Sequence, residues 1–413
     1  MKALRALGHQ TLMVPLYLPL VTDDEPANPE IDVKAGGINL YLQQRLPLLA
    51  GLLPHPLRSF LDRRSQLLTA SKWAGMTSPR DLGRMTLGSL QGQHGNQRHA
   101  WRQLVDWIAR DQDSRPDIVS LSNSLLSGLI PLIHERIGCP VMVSLQGEDA
   151  FLDSLPNTHR EKCWTTLVQL AAQADALIAP SQYYASTMTR RLRVKDKTMH
   201  VVANGLEWEN YLPGQSGQQR NTATIGYLGR MIAGKGLGNI IEAFLSLHRS
   251  ADIPDLTLHL AGAATLSDRR YLRGLRRRIA KAGASERVQW LPNIEFKEKV
   301  DFFHAITVFS MPAPSSYGEA FGLPVLEAIA CGAPVVQPRH GAYPEIIAQT
   351  GGGLLVEPDD PQALAMRLRQ LILDPELRSR IANHGSGVAR RLFSAKNSAQ
   401  AFEKVAQECL CLS

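Results

Sequence analysis

Cysteine is scarce in this sequence and shows no pattern. The five are Cys139, Cys163, Cys331, Cys409 and Cys411, an odd number, and no two form a C-x-x-C pair. That excludes a zinc ribbon or a thioredoxin-like motif and speaks against a disulfide framework. Reduced thiols in a cytoplasmic setting are expected. Cys411 stands third from the end, so no prenylation box is present. Long apolar runs are also lacking. The longest stretch, 118–133, is broken by Ser120, Ser122, Asn123, Ser124 and Pro131 and makes a poor membrane span. The opening Met1-Lys2-Ala3-Leu4-Arg5-Ala6-Leu7 has too short an apolar part for a signal peptide. There is no zinc spacing, no basic tail and no aromatic RNA-binding motif, so no nucleic-acid partner is expected. Charge leans only mildly to one sign, with 45 Lys+Arg against 38 Asp+Glu, a formal net charge of +7 and a pI near 9.2. An excess of this size suits anionic ligands or an anionic membrane surface.

What is present is an ordinary globular composition, 44% apolar and 20% charged, over 413 residues. That length exceeds what one core usually organises, so two domains are expected. Apolar β-type runs alternate with helical periodicity in both halves. In the first half, strands are expected near 116–121, 138–144, 176–180 and 199–202, with helices at 41–53, 100–108 and 164–173 and a loop at 23–35. Asn204-Gly205 ends that alternation, and the Gly/Gln/Ser-rich stretch 214–221 reads as a linker. In the second half, strands are expected at 224–227, 256–261, 288–290, 308–311 and 335–337, with helices at 238–248, 363–373 and 376–385. Two parallel-sheet α/β domains follow, 1–210 and 211–395, with a terminal helix over 396–413 that packs back toward the first. In such sheets ligands sit at the carboxyl ends of the strands.

Two clusters carry chemistry. In Gly226-Tyr227-Leu228-Gly229-Arg230-Met231-Ile232-Ala233-Gly234-Lys235-Gly236 a strand runs into a glycine-rich turn with one Arg and one Lys, and a helix follows. Glycines admit close approach of a ligand, a helix N-terminus offers unpaired N–H groups, and the two cations suit a diphosphate. A solvated turn is the alternative. It is neither a Walker loop nor a dinucleotide fingerprint. The second cluster is Gly318-Glu319-Ala320-Phe321-Gly322-Leu323-Pro324-Val325-Leu326-Glu327-Ala328. It places one carboxylate before a helix and one on its first turn, with several backbone N–H groups aimed at one spot. The carboxylates suit hydroxyls of a sugar and a ribose. Complementing the helix dipole is the other reading, weaker for Glu319, which lies ahead of the helix.

The Glu-x7-Glu pair in its setting resembles the donor motif of the retaining family-4 glycosyltransferases. Gly229-Arg230 with Lys235-Gly236 matches that family's diphosphate turn. Gly332-Ala333-Pro334-Val335-Val336, Gly341, Glu345-Ile346-Ile347, Gly352-Gly353-Leu354-Leu355-Val356 and Pro358-Asp359-Asp360-Pro361 match the tract beyond. Val201-Val202-Ala203-Asn204-Gly205 matches the end of the first domain. The resemblance implies a GT-B fold of two facing Rossmann-like domains and a nucleoside-diphospho-sugar as co-substrate, with no metal and no cofactor. It assigns Gly229, Arg230 and Lys235 to the donor diphosphate and Glu319 to a hydroxyl of the transferred sugar. Ala320, Phe321, Gly322 and Leu323 line sugar and phosphates, and Glu327 takes the nucleotide ribose. The roles expected to be catalytic fall to Glu319, Arg230 and Lys235.

The chain departs from the family's pattern in two places. Many relatives carry a His before Gly-x-Asp where this chain has Gln146, which cannot carry a proton at neutral pH. Gln146, Glu148 and Asp149 are candidates on the acceptor side, and Asp149 equally reads as a helix cap. Relatives also begin with a strand and a glycine-rich loop, whereas this chain opens inside a helix that ends at Gly8 and feeds an expected strand at 11–16. Gly36-Gly37 is a poor substitute loop, and the expectation is a truncated or mis-started form lacking the first strand. Asp111-Gln112-Asp113 reads as a solvated loop rather than a metal motif. Basic runs over 269–281 and 190–197 suit either solvent or the inner face of an anionic membrane. A retaining transferase acting on an unidentified acceptor is the first reading. A sugar-nucleotide epimerase and an inactive sugar-nucleotide binder are the alternatives.

Overall fold

The computed structural model describes residues 1–14, 79–110, 115–195, 198–212, 223–250 and 252–412. The expected loop at 23–35, helix at 41–53 and linker at 214–221 lie outside these, as do Gly36-Gly37 and Asp111-Gln112-Asp113. Two compact units result. One comprises Met1–Pro180, Ala185–Val202 and Ala399–Ser413, the other Ser181–Tyr184 and Ala203–Ser398.

The first unit holds β1 (Val119–Leu121), β2 (Val141–Ser144), β3 (Ala176–Ala179) and β4 (Met199–Val201). They pair in parallel in the order β1-β2-β3-β4. Every residue of β3 is buried, as a strand covered on both faces requires. The helix Ala395–Leu412 brings Val405 and Cys409 into one apolar cluster with Met142, Ala176, Ile178 and Val202.

The expected strand at 11–16 does not form over its described part, 11–14. Leu12 is 57% exposed, and the segment is folded back on the short helix Lys2–Ala6 instead. The Arg5 guanidinium donates to Thr11 Oγ1 at 2.9 Å and to the Thr11 carbonyl at 2.8 Å, taking an acceptor that a ladder would need.

The second unit contains β5 (Thr224–Leu228), β6 (Thr257–Gly262), β7 (Val288–Pro292), β8 (Val308–Phe309), β9 (Val335–Pro338) and β10 (Gly353–Val356). All pairs are parallel, in the order β10-β9-β8-β5-β6-β7. The chain builds outward from β5 to β7, then returns to β5's other edge with β8. The order therefore reverses between β5 and β8, the place where open α/β sheets take their ligands. Helices cover both sides, and proline starts two of them. Pro361–Leu373 and Pro375–Leu392 are capped by Asp360 and Asp374, whose side chains accept from first-turn amides.

Candidate functional site

The site at the β5/β8 switch is built from three turns pressed together. The turn after β5 is tied to the end of β6 by Gly229 N–H to Ala261 O at 3.2 Å and Met231 N–H to Ala263 O at 2.8 Å. Gly236 closes it with φ +77°, and a Cβ there would overlap the Pro312 carbonyl. Only glycine lets this turn lie against the loop that leaves β8. The loop after β9 closes in similarly, with Gly341 at φ +65° against the Glu319 backbone and Ala342 N–H donating to Glu319 O at 3.0 Å.

These turns bring Lys235 and Glu319 together. Lys235 Nζ lies 2.6 Å from Glu319 Oε2, and the side chains keep 19% and 11% exposure. The ammonium also sits 5.1 Å above the Tyr317 ring. Two buried phenols brace the turns. Tyr227 donates to the Arg230 carbonyl and Tyr343 to the Met311 carbonyl, each at 2.8 Å. Burial first, then neighbours that include Glu319, push both phenols well above the ordinary tyrosine range. Both therefore keep their protons and act as neutral donors.

The polypeptide enters the helix Leu323–Ala330 through Gly322, whose φ of +89° makes it the N-cap. A Cβ at Gly322 would lie 3.6 Å from Glu319 Cγ, so the helix start adjoins the Glu319 side chain. The carbonyl of Gly322 accepts from Val325 and Leu326, and Pro324 has no N–H to give. The amides of Phe321, Gly322 and Leu323 donate to no acceptor among the described residues. Phe321 and Gly322 are buried. Unpaired amides at a helix start form a site for an anion or a polar ligand. Ala320 is held from behind, its carbonyl accepting from Ser181 Oγ at 2.6 Å. Arg230 is exposed, and its guanidinium makes no ion pair among the described residues.

Glu327 is placed differently. It is 2% exposed, and its Oε1 accepts from Tyr211 Oη at 2.8 Å and Lys299 Nζ at 2.9 Å. The motif therefore sets one carboxylate beside Lys235 and the other inside a separate polar knot. Sequence reading missed Tyr211, Lys299, Tyr343 and Ser181, since none of them falls in a spaced motif, and it gave no role to Tyr227 although that residue lies within the glycine-rich cluster. It also gave no role to Glu345, which accepts from the amides of Gln182 and Tyr183 at 3.1 and 3.2 Å.

In the first unit Gln146 is exposed, and its backbone N–H donates to Glu148 Oε2 at 2.6 Å. Glu148 is buried and also accepts from Ser124 N–H at 2.8 Å. Burial raises its carboxyl above the usual range, and the amides of Ser124 and Gln146 oppose the rise. Its carboxylate is thus engaged by the fold. Asp149 is not a cap. The N-cap of Glu148–Ser154 is Gly147 at φ +92°, and Asp149 in the first turn lies 3.8 Å from Arg191. Arg191 in turn grips Asp153 and stacks 4.0 Å over Trp164, so it is not a free member of its basic run. Among the described residues no group of three or more His, Cys, Asp or Glu could hold a metal ion.

Comparison with known proteins adds to this geometry. Residues 212–387 match the model described as glycosyl transferases group 1, and residues 83–209 match glycosyltransferase family 4. The chain belongs to the family-4 glycosyltransferases. It is 30% identical over 252 residues to a D-inositol 3-phosphate glycosyltransferase of Corynebacterium jeikeium, covering 58% of this chain and 59% of that protein. A protein of the same description from Corynebacterium glutamicum is 27% identical over 286 residues, covering 66% and 65%. The chain thus spans less than two thirds of these relatives' length. HepE of Anabaena, solved in complex with UDP, is similar in fold with a TM-score of 0.66 at 20% identity, covering 77% of this chain and 84% of that one. Sucrose-phosphate synthase from Thermosynechococcus elongatus gives 0.63 at 18%, covering 76% and 79%. The two parallel-sheet α/β units are those of the GT-B fold.

Proposed function

We propose that the chain transfers a sugar, with retention, from a nucleoside-diphospho-sugar to an acceptor hydroxyl. The observation that carries this is the set of unpaired amides at Phe321, Gly322 and Leu323 beside the Lys235–Glu319 pair. Such a set suits a ligand that is anionic at one end and rich in hydroxyls at the other. The amides, Lys235 and Arg230 would stabilise charge growing on the leaving diphosphate, work that other enzymes give to a metal. Glu319 would hold a sugar hydroxyl, and Glu327 a ribose hydroxyl. The bond from the anomeric carbon to the diphosphate breaks, the bond to the acceptor oxygen forms, and the acceptor's proton passes to the leaving diphosphate. No cofactor beyond the co-substrate is required. HepE's complexes with UDP and UDP-glucose support a nucleotide-sugar donor by likeness of fold.

A panel of sugar nucleotides tests the reading. Thermal stabilisation by one of them identifies the donor. Release of free nucleoside diphosphate in the presence of acceptors then supports transfer. Formation of an isomeric sugar nucleotide would instead identify an epimerase, and binding without turnover an inactive binder. Exposed Gln146 in the first unit is the candidate acceptor-side contact, whereas Glu148 is occupied by the fold.

Contact with an anionic membrane surface is a separate part of the proposal, and the helix Arg269–Lys281 supports it. Arg269, Arg270, Arg273, Arg276, Arg277, Arg278 and Lys281 are all exposed, and no acidic residue stands among them along the helix, although Arg278 is paired with Glu242 of a neighbouring helix. Leu266, just ahead of the helix, is 50% exposed. No helix among the described residues is long and apolar enough to cross a membrane. Vesicles with and without phosphatidylserine test the contact. Co-sedimentation should need the anionic lipid and should weaken in Arg273→Glu/Arg277→Glu. Equal pelleting with neutral vesicles would remove it.

A further inference from the structure

A carboxylate as deep as that of Glu327 needs a reason. It sits in Leu323–Ala330 among Val325, Leu326, Ala328 and Ile329, all buried. Desolvating a carboxylate there is costly, and an apolar side chain of similar volume would serve packing better. Two features show how the charge is tolerated. Lys299, from the helix Phe296–Ala305, reaches it at 2.9 Å, and Tyr211 reaches it at 2.8 Å. Both donors converge on the same oxygen, Oε1. If neutralisation were the whole purpose, the two donors would satisfy the acid best by sharing its two oxygens between them.

Phe296 buttresses both donors. The Tyr211 ring meets it edge-on at 5.8 Å between centroids, and the Lys299 ammonium lies 4.6 Å over its face. Convergence on Oε1 fixes the plane of the carboxyl group and leaves Oε2 as the oxygen that neither donor uses. An ionised acceptor held in one orientation suits a ligand hydroxyl better than a mobile one does, because less freedom is lost on binding.

We propose that Lys299, assisted by Tyr211, is a positioning residue that presents Glu327 Oε2 to the ribose hydroxyls of the donor nucleotide. The proposal rests on the reading of Glu327 as the ribose contact. It assigns to Lys299 a role that a buried structural ion pair would not have, namely discrimination of ribose from a sugar that lacks those hydroxyls.

The test is calorimetry on the full chain with UDP, GDP and ADP, each beside its 2′,3′-dideoxy form. Wild-type protein should bind the ribonucleotide about ten- to a hundredfold more tightly, the worth of a hydrogen bond to a charged acceptor. In Lys299→Met that ratio should fall to about threefold or less, and Tyr211→Phe should lie between. Variants that bind more weakly but keep the wild-type ratio would overturn the proposal and leave a structural ion pair. A wild-type ratio near one would instead remove the ribose reading itself, and the positioning role with it. Circular dichroism identifies a variant that has not folded. If Lys299→Met is one, Tyr211→Phe, which removes a single oxygen, decides the matter.

Discussion

Glu319→Gln separates the two halves of the proposed donor site. The substitution keeps the shape of the side chain and removes its charge. Lys235 is neutralised by Glu319 at 2.6 Å, with 19% and 11% exposure. Removing one partner of a mostly buried pair leaves the other uncompensated, so the free variant should be less stable than wild type. A diphosphate would then supply the missing anion. Nucleoside diphosphate should therefore bind the variant at least as tightly as wild type, by up to about tenfold, and should raise its melting temperature by more. Turnover should move the other way. With Glu319 in its proposed role, replacing a charge-assisted hydrogen bond to the sugar would forfeit about 1.5–3 kcal/mol, a loss of about ten- to a hundredfold in rate. Calorimetry with the diphosphate and release of diphosphate from the sugar nucleotide give the two readouts. If affinity for the bare diphosphate falls in step with turnover, Glu319 does not serve the sugar and the assignment is wrong.

Other perturbations test neighbouring parts. Lys235→Ala and Arg230→Ala should each weaken donor use by about ten- to a hundredfold, and unchanged kinetics in both would remove the diphosphate assignment. Gly236→Ala should lower stability in urea by about 1–3 kcal/mol or more, because φ is +77° and the new Cβ would overlap the Pro312 carbonyl. A neutral result there would mean the turn can relax. Glu148→Ala strips the acceptor from the backbone amides of Ser124 and Gln146, at a cost of about 1–3 kcal/mol for the buried Ser124 N–H left unpaired and less for the more exposed Gln146. Wild-type stability with lost turnover would place Glu148 at the acceptor instead.

Legibility in the sequence followed physical cause. Among the described residues, all four strands of the first sheet and five of the six in the second were readable, because strands covered on both faces are short apolar runs between turn residues. The exception, β10 at Gly353–Val356, opens on a glycine and is only partly buried until Val356. Helices were less legible. Pro79–Leu90 carries two glycines, Gly83 and Gly88, and mixed polar residues, and Tyr343–Thr350 is too short for periodicity to show. The strand expected at 11–16 shows the limit of apolar runs as evidence. Nothing in those residues reveals that Arg5 captures the Thr11 carbonyl.

The placement of the candidate site's residues was legible in the sequence, and its wiring was not. Spacing placed Glu319 ahead of a helix and Glu327 within it, and the resemblance gave each a hydroxyl. Spacing alone, however, treats the two carboxylates alike. What separates them is contributed by segments far away along the chain, which no local pattern can announce. Lys235 arrives 84 residues before Glu319, while Tyr211 and Lys299 stand 116 and 28 residues from Glu327. The first carboxylate keeps a single charged partner in a partly open setting, so a ligand can exchange with that partner. The second is fixed by two donors on one oxygen in the interior, so a ligand can only add to it. A site built this way would let the sugar end adjust while the nucleotide end stays rigid. Substitutions at Glu319 and Lys235 should accordingly alter turnover and diphosphate affinity, and those at Lys299 and Tyr211 should alter recognition of the nucleotide.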